Sequence, residues 1–188
     1  MPLNKDDYVF FWTPDGDNGW ASQWYYSPFT VPIVLPDDTT ETQCTFPTAE
    51  HWMMFQKALL FGDNSIAREI QSHTGVEKKD LAEIKALGRK VQNFDEQKWV
   101  ANRERIVLEG NLHKFGQNPE LKRQLLETGT LRMVEASPRD RIWGIGFGAK
   151  SAGKMADEKK WGLNLLGKAL DAAREQLRTD GSNRNKQV

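Results

Sequence analysis

At 188 residues the chain is about one domain in size; 38% of it is hydrophobic and 28% charged, and seven Trp and nine Phe exclude a disordered polymer, which has no aromatic surface to bury. Lys plus Arg and Asp plus Glu are both 26, so the net charge of zero argues against a protein that coats nucleic acid or a membrane, and any anion site must be local. No apolar run nears the ~20 residues that span a bilayer. The single Cys44 precludes an intramolecular disulfide and MPLNKDDYVF lacks a signal peptide's apolar run, so a cytoplasmic protein without a membrane partner is expected.

In chain order, residues 1–7 read as an N-terminal extension. From Tyr8 to Val34, short β-prone aromatic runs are broken by Pro14, Gly16, Gly19 and Pro28. FPTAEHWMMFQKALLFGD carries a helix, with Thr48 as N-cap after Pro47 and Gly62 as stop. A shorter helix is expected near Asn64, one from Asp80 to Leu87 capped by Asp80 and ended by Gly88, and a long one from Asp95. Another follows Pro119. LRMVEA reads as a strand or extended segment, and Gly144 to Lys160 as a long loop rich in Gly and Lys. Leu166, Leu170, Ala173 and Leu177 mark an amphipathic closing helix over 164–178, and the polar tail 179–188 is expected to be disordered. The predicted fold class is mainly α with minor β, in one domain over 8–178 without repeats or linkers.

Three groups of residues offer chemistry. In SPRDRIWGIG, Pro138 stiffens the chain before Asp140, which Arg139 or Arg141 would keep ionised if near, and Gly144 and Gly146 let the backbone after Trp143 approach a ligand. The same residues also suit a capped turn and a buried Trp143. The continuation adds Lys150 and Lys154, which with backbone amides offer a phosphate cradle without Walker spacing. On the Thr48 helix, Glu50, Met54 and Lys57 share one stripe. The helix dipole favours the anionic form of Glu50, whereas burial would raise its pKa, so Glu50 acts as a general acid only where burial wins; the alternative is a solvated Glu–Lys face. Arg89 and Arg103 match phosphate oxygens in bidentate geometry, and Trp99 is large enough to stack on a base or to fill the core. His51, His73 and His113 show no metal-ligand spacing, so no zinc is expected, and Cys44 has no nearby His to make it a nucleophile.

In this order, SQWYYSPFTV, FPTAEHWMMFQKALLF, LGRKVQNFDEQKW, LEGNLHKFGQNPELKRQLLETG, LRMVEASPRDRIWGIG and NLLGKALDAAREQL resemble the NADAR family, also called YbiA-like, over about Tyr8 to Leu177. The resemblance implies a compact, mainly helical YbiA-like fold and a cofactor-free N-glycosidase in which water replaces a nitrogen base or amine at C1 of a phosphorylated ribose. Two substrate classes are linked with such proteins: ribosylamino-pyrimidine phosphates of the riboflavin pathway, and ADP-ribose on guanine in nucleic acid. Motif by motif, it assigns Glu50, Lys57 and Asp140 to catalysis, and Arg89, Trp99 and Trp143 to the substrate. Residues 149–160 are longer than the family pattern and Arg132-Met133 depart from it.

C–N cleavage passes through an oxocarbenium-like transition state, which Asp140 or Glu50 would stabilise. Glu50 is also the candidate to protonate the leaving nitrogen. Lys57 acts either electrostatically or, as a desolvated amine, by attacking C1 to form a Schiff base. Arg89, Arg103 and the loop from Gly144, through Gly146, would hold phosphate. The longer loop tips the expected substrate toward ADP-ribosyl-guanine over a riboflavin intermediate. The competing class is a module that binds ADP-ribose or a nucleotide without turnover.

Overall fold

The computed structural model describes residues 5–35, 38–152 and 158–184. In chain order the elements are β1 (Tyr8–Phe11), β2 (Phe29–Val34), β3 (Glu41–Phe46), α1 (Ala49–Leu60), α2 (Asn64–Ser72), α3 (Lys78–Lys90), α4 (Glu96–Gln117), α5 (Pro119–Glu127), β4 (Arg132–Glu135), α6 (Ala149–Ala152) and α7 (Leu165–Arg184). The fold is mainly α with minor β. Its contacts gather into two compact units, residues 26–118 and residues 1–25 with 119–188.

In residues 26–118, β2 and β3 pair antiparallel from Phe29↔Phe46 to Val34↔Glu41. The two-residue period turns Phe29, Val31 and Ile33 inward with Cys44 and Phe46, while Thr30 and Thr45 share a hydroxyl hydrogen bond of 2.8 Å on the exposed face. Pro32 is tolerated because a two-stranded ribbon has only edge strands.

Next comes α1, the central helix of this unit. Thr48 caps it by accepting from the His51 amide, Gly62 ends it at φ 72°, and every residue from Ala49 to Phe55 is buried. A helix apolar nearly all round must have partners on all sides, and α1 packs on α2, α3, α4 and β3. Asp63 holds the next junction: Oδ1 accepts from the Ile66 amide (3.1 Å) to cap α2, and Oδ2 from the Gln92 amide (3.0 Å) beyond α3. At the α1–α4 crossing the Trp52 indole N–H donates to the Ile106 carbonyl at 2.9 Å, and the ring lies against Gly110. A Cβ at Gly110 would enter the indole. Gly110→Ala should therefore destabilise the protein by about 1–3 kcal/mol in chemical denaturation, despite alanine's better helix propensity.

In the other unit β1 pairs parallel with β4, from Tyr8↔Arg132 to Phe11↔Glu135. Asn164, at φ 52°, supplies what a third strand would: its side chain donates to the Met133 carbonyl (2.9 Å) and accepts from the Glu135 amide (3.0 Å) just before α7 packs on β4. Buried Arg174 of α7 donates to Thr128 Oγ1 and the Leu131 carbonyl, each at 2.7 Å, and pairs with Asp171. Val134, Ile145 and Ala152 form a small core under Tyr8, Phe10, Phe147 and Trp161.

Four details of the elements differ from the sequence expectations. Gly88 does not end α3 but lies within it, packed against Met54, and Arg89 is still helical. The cap is Glu77, with Asp80 completing a capping box three residues on. The closing helix continues past Arg178 to Arg184, and 185–188 lie outside the described residues. The 144–160 segment is not all loop: it holds α6 and a 3-10 turn at Glu158–Lys160, while 153–157, including Lys154, lie outside the described residues.

Candidate active site

Glu50 and Lys57 both lie on α1, as the spacing requires. Glu50 is buried at 6% exposure, so the solvated-face alternative fails for it. Lys57 is half-buried; its ammonium group donates to the Gly88 carbonyl at 2.7 Å and sits 4.5 Å from the Phe94 ring centroid and 5.4 Å from that of Trp99. Burial pulls the Lys57 pKa below that of an ordinary lysine; Glu96 opposes the shift and Arg89 adds to it. A larger fraction of the amine is thus neutral, and nucleophilic, near neutral pH.

Trp99 and Arg103 are one turn apart on α4, both 8% exposed. The Lys57–Trp99 and Trp52–Ile106 contacts run α4 antiparallel to α1 and set Arg103 between them. Among the described residues no hydrogen bond or ion pair reaches the Arg103 guanidinium, and its Nε is fully buried without a partner. A guanidinium at 8% exposure without a counter-charge among the described residues can accept an anion. Arg89 is exposed at the end of α3, close enough to Lys57 to affect its protonation.

The SPRDRIWGIG segment belongs to the other unit. Asp140 Oδ1 accepts from the Ile142 and Trp143 amides, both at 2.8 Å, so the carboxylate closes a turn. The arginines do not hold it: Arg141 donates to the Lys160 carbonyl (2.9 Å) and covers the Phe147 ring, and Arg139 is exposed. The close approach at Gly144 is to the chain itself, since a Cβ there would meet the Glu135 carbonyl oxygen at 2.7 Å. Gly146 has φ 76°, and a Cβ would meet Arg141 Cγ at 2.6 Å. Trp143 is half-buried.

The NADAR domain family model matches residues 10–178. The chain belongs to the NADAR family. N-glycosidase R617 of Acanthamoeba polyphaga mimivirus is 40% identical over 177 residues, 93% of this chain and 98% of that protein. The riboflavin biosynthesis protein VVA0006 of Vibrio vulnificus is 27% identical over 169 residues, 90% of this chain and 38% of that protein. Among solved structures, the NMR structure of E. coli YbiA superposes with a TM-score of 0.67 at 26% identity, covering 96% of this chain and 90% of that one. This NADAR protein is an N-glycosidase.

Two NADAR-domain side chains escaped the sequence reading. Phe94 lies inside the LGRKVQNFDEQKW motif, and only the fold brings it over Lys57. Lys114 is fully buried, and desolvation lowers its pKa to about 7. His73, Asp80 and Glu83 come together in space from the end of α2 and from α3.

Proposed function

We propose that this N-glycosidase hydrolyses the ribose C1–N bond of a phosphorylated ribosyl base, with ADP-ribose on a guanine of nucleic acid as its preferred substrate. The observation that carries the phosphorylated-sugar reading is buried Arg103, a guanidinium with no partner among the described residues, one turn from Trp99. The 149–160 segment, longer than the family pattern and rich in Lys, is the sequence feature that favours a diphosphate over a monophosphate. A second reading, a ribosylamino-pyrimidine phosphate, is favoured by the name of the Vibrio relative, a riboflavin biosynthesis protein.

In the proposed mechanism the neutral Lys57 amine attacks C1, and the C1–N electron pair leaves with the base nitrogen, which takes a proton from Glu50. The Lys57 nitrogen then gives up a proton and its lone pair forms the C1=N imine, while the C1–O bond opens and the ring oxygen takes up that proton. Water, deprotonated by Glu50, adds to the imine and Lys57 departs as the free amine. The sum is one water consumed and one base released. Trp99 stacks on the base, and Arg89 and Arg103 hold phosphate. On the family correspondence Asp140 is proposed as a catalytic carboxylate and Trp143 as a substrate contact; Trp143→Ala should raise KM more than it lowers kcat.

The neutral-amine requirement fixes the sign of the pH dependence. Because the Lys57 pKa is lowered, kcat/KM rises with pH through a value below the ordinary lysine range. Removing the Arg89 charge (Arg89→Met) should move this limb to higher pH, and Glu96→Gln to lower pH, in pH–rate profiles with saturating substrate as control.

The deciding assay incubates the protein with an ADP-ribosylated guanine oligonucleotide and, separately, a ribosylamino-pyrimidine phosphate, with Glu50→Ala alongside. Sugar release from the first alone supports the ADP-ribosyl reading, and from the second alone the metabolite reading. Release from neither, with ADP-ribose still bound, points to a binding module and overturns the proposal.

A further inference from the structure

Phe94 stands outside the residues that the family correspondence assigns, yet it is the nearer of the two rings beside the Lys57 amine, at 4.5 Å from the nitrogen to its centroid against 5.4 Å for Trp99. The two rings differ in exposure. Trp99 is 8% exposed, whereas Phe94 is 45% exposed and forms the solvent side of the lysine's surroundings.

The chain fixes Phe94 from both directions. The Gln92 amide donates to Asp63 Oδ2 at 3.0 Å, which ties the segment to the junction after α1, and Asn93 turns it through a left-handed φ of 55°. Asp95 then caps α4 by accepting from the Lys98 amide at 2.6 Å. Phe94 thus sits immediately before the cap, where an apolar residue often packs on the fourth residue of its own helix, here Trp99. It also reaches across to Phe61 at the end of α1, with centroids 5.2 Å apart and planes at 54°. Phe61 and Lys57 are one turn apart on α1 and share a face, so the contact with Phe61 brings the ring over the amine.

Such a ring acts on an amine in two opposed ways. Its π-face attracts the ammonium form, and its bulk keeps water away, which disfavours that form. Leucine would keep the bulk alone, and alanine neither. The charged groups that act on the amine are Glu96 of α4 and Arg89 of α3, both exposed.

We infer that Phe94 is a positioning residue for the glycosidase reaction: its ring holds the Lys57 nitrogen in place and screens it from water. This role rests on Lys57 being the reacting amine, but the hold on the amine is measurable without turnover.

In the test, full-length wild type, Phe94→Leu and Phe94→Ala are labelled with trace acetic anhydride from about pH 6 to about pH 11, and Lys57 acetylation is quantified by peptide mass mapping against the other lysines. The Lys57 midpoint should fall by about 0.5–1 pH unit in Phe94→Leu, which loses the π-face, and rise toward the ordinary lysine range in Phe94→Ala, where water replaces the ring. The limb of kcat/KM against pH should shift in the same order, and Phe94→Ala should lower kcat about tenfold with KM little changed, because the nitrogen is no longer held for attack. Circular dichroism checks folding at this exposed position. Equal midpoints, or any other order of the three, would overturn the role of Phe94. The expected order in labelling without a matching order in the pH–rate profiles would support the hold of Phe94 on the amine and overturn the covalent mechanism instead.

Discussion

Lys57→Ala is expected to lower kcat by at least about 10³-fold, roughly 4 kcal/mol of transition-state stabilisation, with CD and thermal unfolding little changed. The covalent route loses its nucleophile outright, whereas loss of a purely electrostatic group costs about 10²–10³-fold, so chemical trapping separates the two. Borohydride added during turnover should trap the imine as a secondary amine, found by peptide mass mapping on Lys57. Lys57→Arg separates the roles further, since it keeps the charge over Phe94 and Trp99 but has no amine to deprotonate. Activity within tenfold of wild type in Lys57→Ala, or no adduct at Lys57, removes the covalent mechanism.

Arg103→Met should move two measurements in opposite directions. Loss of a charge-assisted contact to phosphate costs about 1.5–3 kcal/mol, so KM for a phosphorylated substrate should rise about 10–100-fold, with a smaller change in kcat. Stability should rise, because the variant replaces a buried unpaired guanidinium with a thioether of similar length. A gain of about 1–3 kcal/mol corresponds to several degrees in Tm for a chain of this size. Binding groups that cost the free protein stability are a recurrent feature of active sites. A variant that loses stability and keeps its KM would identify Arg103 as a structural residue and withdraw it from the phosphate site.

The helices were legible wherever their signals are local. Thr48, Asp95 and Gly62 act within a turn of their own position, and α1 and α4 begin, and α1 ends, where they indicate. The same holds for the stripe that puts Glu50 and Lys57 on one helix. Gly88 was misread because a glycine's preference for ending helices is weak against tertiary packing: Met54 needs the space its missing side chain leaves. Asp140 illustrates the other limit, since a carboxylate flanked by arginines in sequence is satisfied instead by amides two and three residues ahead.

By itself, then, the sequence determined the helical class, the capped and terminated elements and the run of motifs that marks the NADAR family, all properties written in neighbouring residues. Only the tertiary structure decided that β1 lies parallel to β4, that Phe94 and Trp99 lie against the Lys57 ammonium group, and that Arg103 is buried without a counter-charge among the described residues. Burial and pairing depend on which distant segments close over a residue, and no local periodicity encodes that.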